Sequence, residues 1–134
     1  MSITERITIK EFLDRENNIR PELLDEEAQD IAKKLRDEKI TTHQVRRFFD
    51  EVKSYKARLD RGEDYKKIKP LIVMLKSKAK YAATKNKKMN IFYEFIGKSI
   101  DKIKTEEKEI EKKKFDAFCL FFEAIYGFAE LKNT

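Results

Sequence analysis

Residues 115–129 constrain the fold of this chain most strongly, because large apolar side chains would surround nearly the whole circumference of a helix built from them. These side chains are Phe115, Phe118, Cys119, Phe121, Phe122, Ile125, Tyr126 and Phe128. The stretch also contains Asp116 and Glu123, and it is shorter than the roughly 20 apolar residues that span a bilayer. A helix that is apolar on all sides has to be covered on all sides. We therefore expect a last helix over about residues 105–131, placed in the middle of a helical bundle.

Four more segments upstream have apolar residues at three- and four-residue steps, which predicts an all-α chain. They cover residues 21–38, 42–61, 70 onward and 89–104, and the chain holds only three glycines and two prolines. Thr41 or Thr42 can cap the second helix, and Gly62 can end it. The third helix is predicted to begin at Pro70, with residues 65–69 as a loop, because proline cannot donate a hydrogen bond inside a helix. The fold class expected is a compact single-domain bundle of about five helices.

The apolar residues among the first 20 positions do not recur at a clear helical spacing. We therefore expect a loose N-terminal arm over residues 1–20 and a bundle domain over residues 21–134. The arm is predicted to hold at most a short helix around residues 9–14. No basic segment followed by an apolar run begins the sequence, which argues against a signal peptide. The single cysteine, Cys119, excludes an internal disulfide and fits a reducing compartment. Together these features predict a cytoplasmic protein.

Residues 65–93, called the lysine segment below, contain nine lysines and no acidic residue. The segment carries +9 while the whole chain carries +6, so the remaining residues sum to −3. A patch of one sign attracts a polyanion, either nucleic acid or an anionic membrane surface. Membrane binding is disfavoured, because surface-binding helices place large apolar residues beside the charges, and the apolar arc of this helix is needed for the core. An ordinary solvated face is the alternative to a nucleic-acid site.

Helical spacing predicts where these basic residues lie. Lys76, Lys80 and Lys87 line one border of the buried arc of the third helix, and Lys78 and Lys85 line the other border, beside Tyr81. Arg46 and Lys53 fall together on one flank of the second helix. The candidate RNA-binding residues are therefore Arg46, Lys53, Lys76, Lys78, Lys80, Lys85 and Lys87.

Catalysis is not predicted, and neither a cofactor nor a metal site is expected. Cys119 lies on the most apolar face, where a thiolate would be costly, and His43 in a first helical turn favours a solvated or capping role. An acidic ridge on the last helix consists of Glu109, Asp116, Glu123 and Glu130. Its members are one heptad apart, about 10 Å by helix rise, which is too far to share one metal ion. Because Glu123 lies inside the Phe-rich stretch, we expect it to be partly buried and paired, with Arg46 as a plausible partner.

Three further patterns occur in a fixed order along residues 20–130. Residues 39–49 combine a threonine-rich cap with an arginine and two aromatics. Residues 70–83 form the lysine-rich third helix, and residues 118–125 contain an aromatic–Glu–Ala pattern. In order, spacing and total length, these segments resemble the small-subunit family of the type III-A CRISPR–Cas (Csm) effector complex.

The resemblance implies a compact helical RNA-binding subunit without activity of its own. Several copies would stack along the ribonucleoprotein filament and contact the guide crRNA and target RNA, beside the backbone subunit and the large Cas10-type subunit. Arg46 matches the family's arginine after the cap. Lys76, Lys78 and Lys80 fall in the segment that matches the family's basic central helix, which is the third helix here. Lys85 stands where relatives often carry an arginine, so a bidentate phosphate contact is replaced by a point charge. A helical adaptor that binds an acidic protein is the alternative.

Overall fold

Six α-helices make up most of the chain in the computed structural model, which describes residues 6–133. Their bounds are α1 (Pro21–Leu24), α2 (Glu26–Asp37), α3 (Thr42–Asp60), α4 (Tyr65–Lys85), α5 (Asn90–Ile103) and α6 (Lys108–Ala129), and a 3-10 turn (Lys87–Met89) joins α4 to α5. No strand occurs among the described residues, where Leu13 and Ile19 form only an isolated β-bridge. The all-α prediction is confirmed, with the first predicted helix divided into α1 and α2 at Asp25.

Helix α6 is the central helix, as its sequence predicts, and it packs against α1, α2, α3 and α5. The core between α5 and α6 is a cluster of phenylalanine rings around Phe95, which is fully buried. The centroid of the Phe95 ring lies 5.5 Å from that of Phe122 and 5.8 Å from that of Phe121. Edge-to-face pairs at these distances add about 0.5–1.5 kcal/mol each to the burial of the rings. Leu120 and Phe128 are the exposed apolar residues of this helix.

Helix α4 begins at Tyr65, five residues before the predicted start, so the expected loop at residues 65–69 is wrong. Asp64 caps the helix by accepting the N–H of Lys66 at 3.0 Å. Pro70 lies inside the helix and removes one hydrogen bond, at a cost of about 3 kcal/mol. Continuing the helix through it buries Tyr65 and Ile68 on the same stripe as the later core residues. Each burial contributes about 1.5–3 kcal/mol, which together outweighs the cost of Pro70.

The ends of α3 follow from local sequence. Thr41 and Gln44 form a capping box, in which the Thr41 hydroxyl accepts the Gln44 N–H and the Gln44 Oε1 accepts the Thr41 N–H. Gly62 follows the helix with a φ of 96°, a left-handed conformation that glycine adopts without steric cost. Both predicted end signals therefore act as expected, with Thr41 as the cap.

Residues 6–20 contain no helix, and they pack on the bundle instead of forming a loose arm. Ile7, Ile9 and Phe12 are buried, and the Phe12 ring lies 5.9 Å from that of Phe121. The Glu94 carboxylate of α5 accepts the N–H groups of Arg6 and Ile7 at 2.7 Å each. Residues 1–5 of the predicted arm lie outside the described residues, and its division from the bundle stays a prediction.

Truncating Phe12 tests whether this segment belongs to the core. We expect Phe12→Ala to lower the free energy of unfolding by about 3–5 kcal/mol, because it leaves a cavity among the rings of α6. Urea unfolding monitored by circular dichroism measures this, with the exposed Thr8→Ala as the control. A Phe12→Ala variant as stable as the control would mean that the segment is detached.

Glu111 is the buried carboxylate that ties the start of α4 to the start of α6, and its side chain is 3% exposed. Its oxygens accept the Tyr65 hydroxyl at 2.7 Å and the Thr105 N–H at 3.1 Å, and they lie 3.1 Å from the Lys69 ammonium at the nearest. Burial alone would raise the pKa of Glu111, but the hydrogen bonds from Tyr65, Thr105 and Lys69 outweigh burial and lower it. Burial and the bond to Glu111 raise the pKa of Tyr65.

Because the pKa of Glu111 is lower in the folded protein than its ordinary value, Glu111 stabilises the fold by an amount that falls at acidic pH. The contribution is complete above the carboxyl's ordinary pKa of 4.5 and is lost as the pH falls through the lower folded value. We expect Glu111→Gln to cost about 1–3 kcal/mol near pH 7, with the difference from the wild type shrinking below pH 4.5.

Urea unfolding at a series of pH values measures this difference. The exposed Glu109→Gln on the same helix is the control and should match the wild type throughout. A Glu111→Gln penalty that stays constant from pH 7 to pH 3 would contradict this account.

Candidate nucleic-acid interface

Helix α4 carries lysines on both borders of a narrow buried stripe. After Pro70 the stripe consists of Ile72, Leu75, Ala79 and Ala83. On the border that faces α5, the Lys76 ammonium lies 2.6 Å from the Asp101 carboxylate, and the Lys80 ammonium lies 5.3 Å from the centroid of the Tyr93 ring. Lys87 follows in the 3-10 turn, exposed to solvent.

The border that faces α3 carries the other two candidate lysines of this helix. The Lys78 ammonium lies 2.9 Å from Glu51 of α3, and the hydrogen bond between them raises the pKa of Lys78. The Lys85 ammonium lies 5.3 Å from the centroid of the Tyr81 ring. The structure therefore places two rows of lysines on either side of the buried stripe.

Acidic residues of other helices neutralise part of the lysine segment. Lys69, Lys76 and Lys78 have carboxylate partners on α6, α5 and α3 respectively. Lys80, Lys85 and Lys87 are exposed, and within residues 6–133 no carboxylate lies within 4.0 Å of their ammonium groups. The uncompensated charge on the borders of the stripe therefore lies at the carboxyl end of α4 and in the 3-10 turn, while Lys66 and Lys67, also exposed, add positive charge at the amino end of the helix.

Arg46 and Lys53 lie on the opposite flank of α3, which faces α6. Arg46 approaches Asp50 at 3.8 Å, and the Lys53 ammonium lies 5.4 Å from the centroid of the Phe49 ring, which stacks on Tyr126 of α6. The expected pairing of Arg46 with Glu123 is wrong. Glu123 points to solvent, where it needs no partner, and the buried acid of α6 is Glu111 instead.

A groove of about 660 Å³ lies between the first half of α3 and the second half of α4. Its lining includes Arg47, Lys78, Lys85, Tyr81, Gln44 and Asn86. Tyr81 is 64% exposed, more than the other exposed large hydrophobic residues of the described chain. The groove therefore combines an open aromatic ring with several cations.

Only Lys78 and Lys85 of this groove were among the sequence-based candidates. Of the residues that were absent, Gln44, Arg47 and Glu51 share one side of α3 by helical spacing, which is a signal that the sequence contains. That this side meets Tyr81 and Lys85 depends on the packing of α3 against α4, which the helical pattern of either segment alone does not specify.

The Cys119 side chain packs against the hydrophobic core. Burial raises the pKa of the Cys119 thiol, which keeps it protonated. No group of three or more His, Cys, Asp or Glu side chains in residues 6–133 is arranged to hold a metal ion. None of the helices in this range is both long enough and apolar enough to cross a membrane.

Comparison with family models identifies the family of this helical bundle. A family model described as Csm2 Type III-A matches residues 18–132, which include all six helices. The chain belongs to the Csm2 Type III-A family. A comparison with curated proteins found no match, and a comparison with solved structures found none either.

Membership confirms the predicted resemblance. Csm2 is the structural small-subunit family of the type III-A Csm complex, so the partners of this chain include the other subunits of that complex.

Proposed function

We propose that this Csm2-family protein is a non-catalytic RNA-binding subunit that stacks along the Csm filament and contacts guide and target RNA through their phosphates. The observation that carries the proposal is the exposed, uncompensated charge of Lys80, Lys85 and Lys87. An ammonium on a flexible stem binds a phosphate as a point charge. Phosphate contacts position a protein without reading sequence, and guide–target pairing would supply the sequence information. The protein would act in the cytoplasm with the rest of its complex.

Lys76 and Lys78 also belong to the proposed surface, although each has a carboxylate partner. Their side chains are 36% and 41% exposed. An exposed ion pair contributes about 0–1 kcal/mol, so a phosphate can replace Asp101 or Glu51 at little cost. Arg46 and Lys53 face α6 and would meet a different segment of the RNA or a neighbouring subunit.

Catalysis is not part of the proposed role. The half-buried Cys119 thiol is a poor nucleophile because its pKa is raised. The single histidine, His43, is exposed and lines the groove with Arg47, Lys78 and Glu51, and the proposed role assigns it no proton transfer. In the complex, target cleavage would belong to other subunits.

Charge reversal at the uncompensated end of α4 tests the proposal. We expect Lys80→Glu combined with Lys87→Glu to weaken binding of single-stranded RNA at low salt by more than about tenfold, and to make the slope of log K against log salt concentration shallower by about 1.4. Fluorescence anisotropy measures both quantities.

The matched control reverses the same amount of charge on other surfaces, with Lys10→Glu and Lys113→Glu, which are both exposed. We expect this control to keep most of the affinity. Equal losses in both double variants would mean that net charge alone drives binding. Unchanged RNA affinity together with loss of an acidic protein partner would favour a helical adaptor.

Removing the partner of Lys78 should have the opposite effect. We expect Glu51→Gln to tighten RNA binding by about 1.4- to 5-fold, because it releases an exposed ion pair of about 0.2–1 kcal/mol. The control Glu22→Gln removes the same charge from the exposed surface of α1. Weaker binding by Glu51→Gln than by this control would contradict the assignment of Lys78.

A further inference from the structure

The groove between α3 and α4 contains an exposed aromatic ring that phosphate binding does not require. We propose that this groove holds one unpaired nucleotide of the bound RNA, with its base stacked on Tyr81 and its phosphate beside Arg47 and Lys85. The inference rests on the proposed RNA-binding function and specifies what the groove itself recognises. It does not depend on the α5-facing lysines.

The ring of Tyr81 is placed as a stacking surface. At 64% exposure it contributes little to the core, and the Lys85 ammonium lies near one side of it. The rest of the ring is open to the groove that it lines. Base–aromatic stacking tolerates any base, because every base has a flat π face, and an adjacent cation adds to the attraction.

The polar groups of the groove act mainly as donors. The Gln44 Oε1 accepts the Thr41 N–H at 2.9 Å, and the Asn86 Oδ1 accepts the Lys88 N–H at 3.3 Å. Each amide oxygen is therefore engaged, and the NH₂ group is the part of each amide left for a ligand.

The charged groups of the groove add to this donor character. Arg47, Lys78 and Lys85 have donors only and outnumber Glu51, the carboxylate in the lining, so the groove carries a net positive charge. The matching ligand is rich in acceptors and has a flat face. A nucleotide has both, with phosphate oxygens and base acceptors, whereas an acidic peptide segment offers acceptors without a flat ring for Tyr81.

The size of the groove agrees with one nucleotide. Its volume of about 660 Å³ falls within the range of about 300–1,000 Å³ typical of small-molecule sites. A fully paired duplex keeps its base faces stacked inside and has none to offer, so the base has to leave the stack. The groove would therefore recognise a local conformation of the RNA strand and not its sequence.

An RNA duplex with one unpaired nucleotide tests the inference, in comparison with the same duplex carrying an abasic residue at that position. We expect the abasic change to weaken binding to the wild-type protein by about 5- to 150-fold, which corresponds to the loss of one base–aromatic stack. Tyr81→Ala should lose the same factor on the base-bearing duplex and nothing further on the abasic one. Tyr81→Phe keeps the ring and should bind like the wild type.

Spectroscopy and a matched variant separate stacking from general effects. With 2-aminopurine as the unpaired base, wild-type protein should quench its fluorescence, and Tyr81→Ala should not. Met74 is 50% exposed on the same helix and does not line the groove, so Met74→Ala should leave affinity and quenching unchanged.

Two results would overturn the inference. Equal wild-type affinity for the base-bearing and abasic duplexes would refute base binding. In that case, weaker binding of both duplexes by the Lys80→Glu, Lys87→Glu double variant would support phosphate binding and refute only the base site. Unchanged binding of both duplexes by this double variant would refute the proposed function as well. If the Tyr81→Ala variant no longer bound the other Csm subunits but kept its affinity for RNA, the groove would be a protein-binding site instead.

Discussion

The burial of one narrow stripe of α4 between α3 and α5 is the constraint on which the proposed surface depends. Ile72, Leu75, Ala79 and Ala83 face the core, and two of these four residues are alanines. A stripe of this width leaves every lysine of α4 exposed or half-buried. Because helical spacing is fixed, the lysines on either border keep constant positions relative to the neighbouring helices. The core thereby determines where the positive charge is presented.

The neighbouring helices then divide the lysine segment into two parts. Between Lys69 and Lys78, carboxylates from α3, α5 and α6 reach across and compensate the charge. From Lys80 to Lys87, no carboxylate of the described chain comes within ion-pair distance of Lys80, Lys85 or Lys87. Unpaired positive charge therefore lies where the chain leaves α4, next to the groove with the exposed Tyr81. Phosphate binding and base stacking would occur on adjoining surfaces.

Local sequence was sufficient to predict the all-α class, the central position of α6 and the ends of α3, because each depends on the apolar period or on a cap within one segment. Tertiary burial overrode local preference at Pro70, where α4 continues to bury Tyr65 and Ile68. The contribution of Arg47 to the groove and the neutralisation of Lys76 and Lys78 depend on contacts between helices. No periodic pattern within one helix contains that information.

Lysine acetylation with and without bound RNA, quantified by mass spectrometry on the assembled Csm complex, tests whether the end of α4 contacts phosphate. We expect RNA to protect Lys80, Lys85 and Lys87, while the exposed Lys10 and Lys113 react equally in both states. Equal reactivity of Lys80, Lys85 and Lys87 with and without RNA would contradict the account, because these ammonium groups would then not be in contact with phosphate.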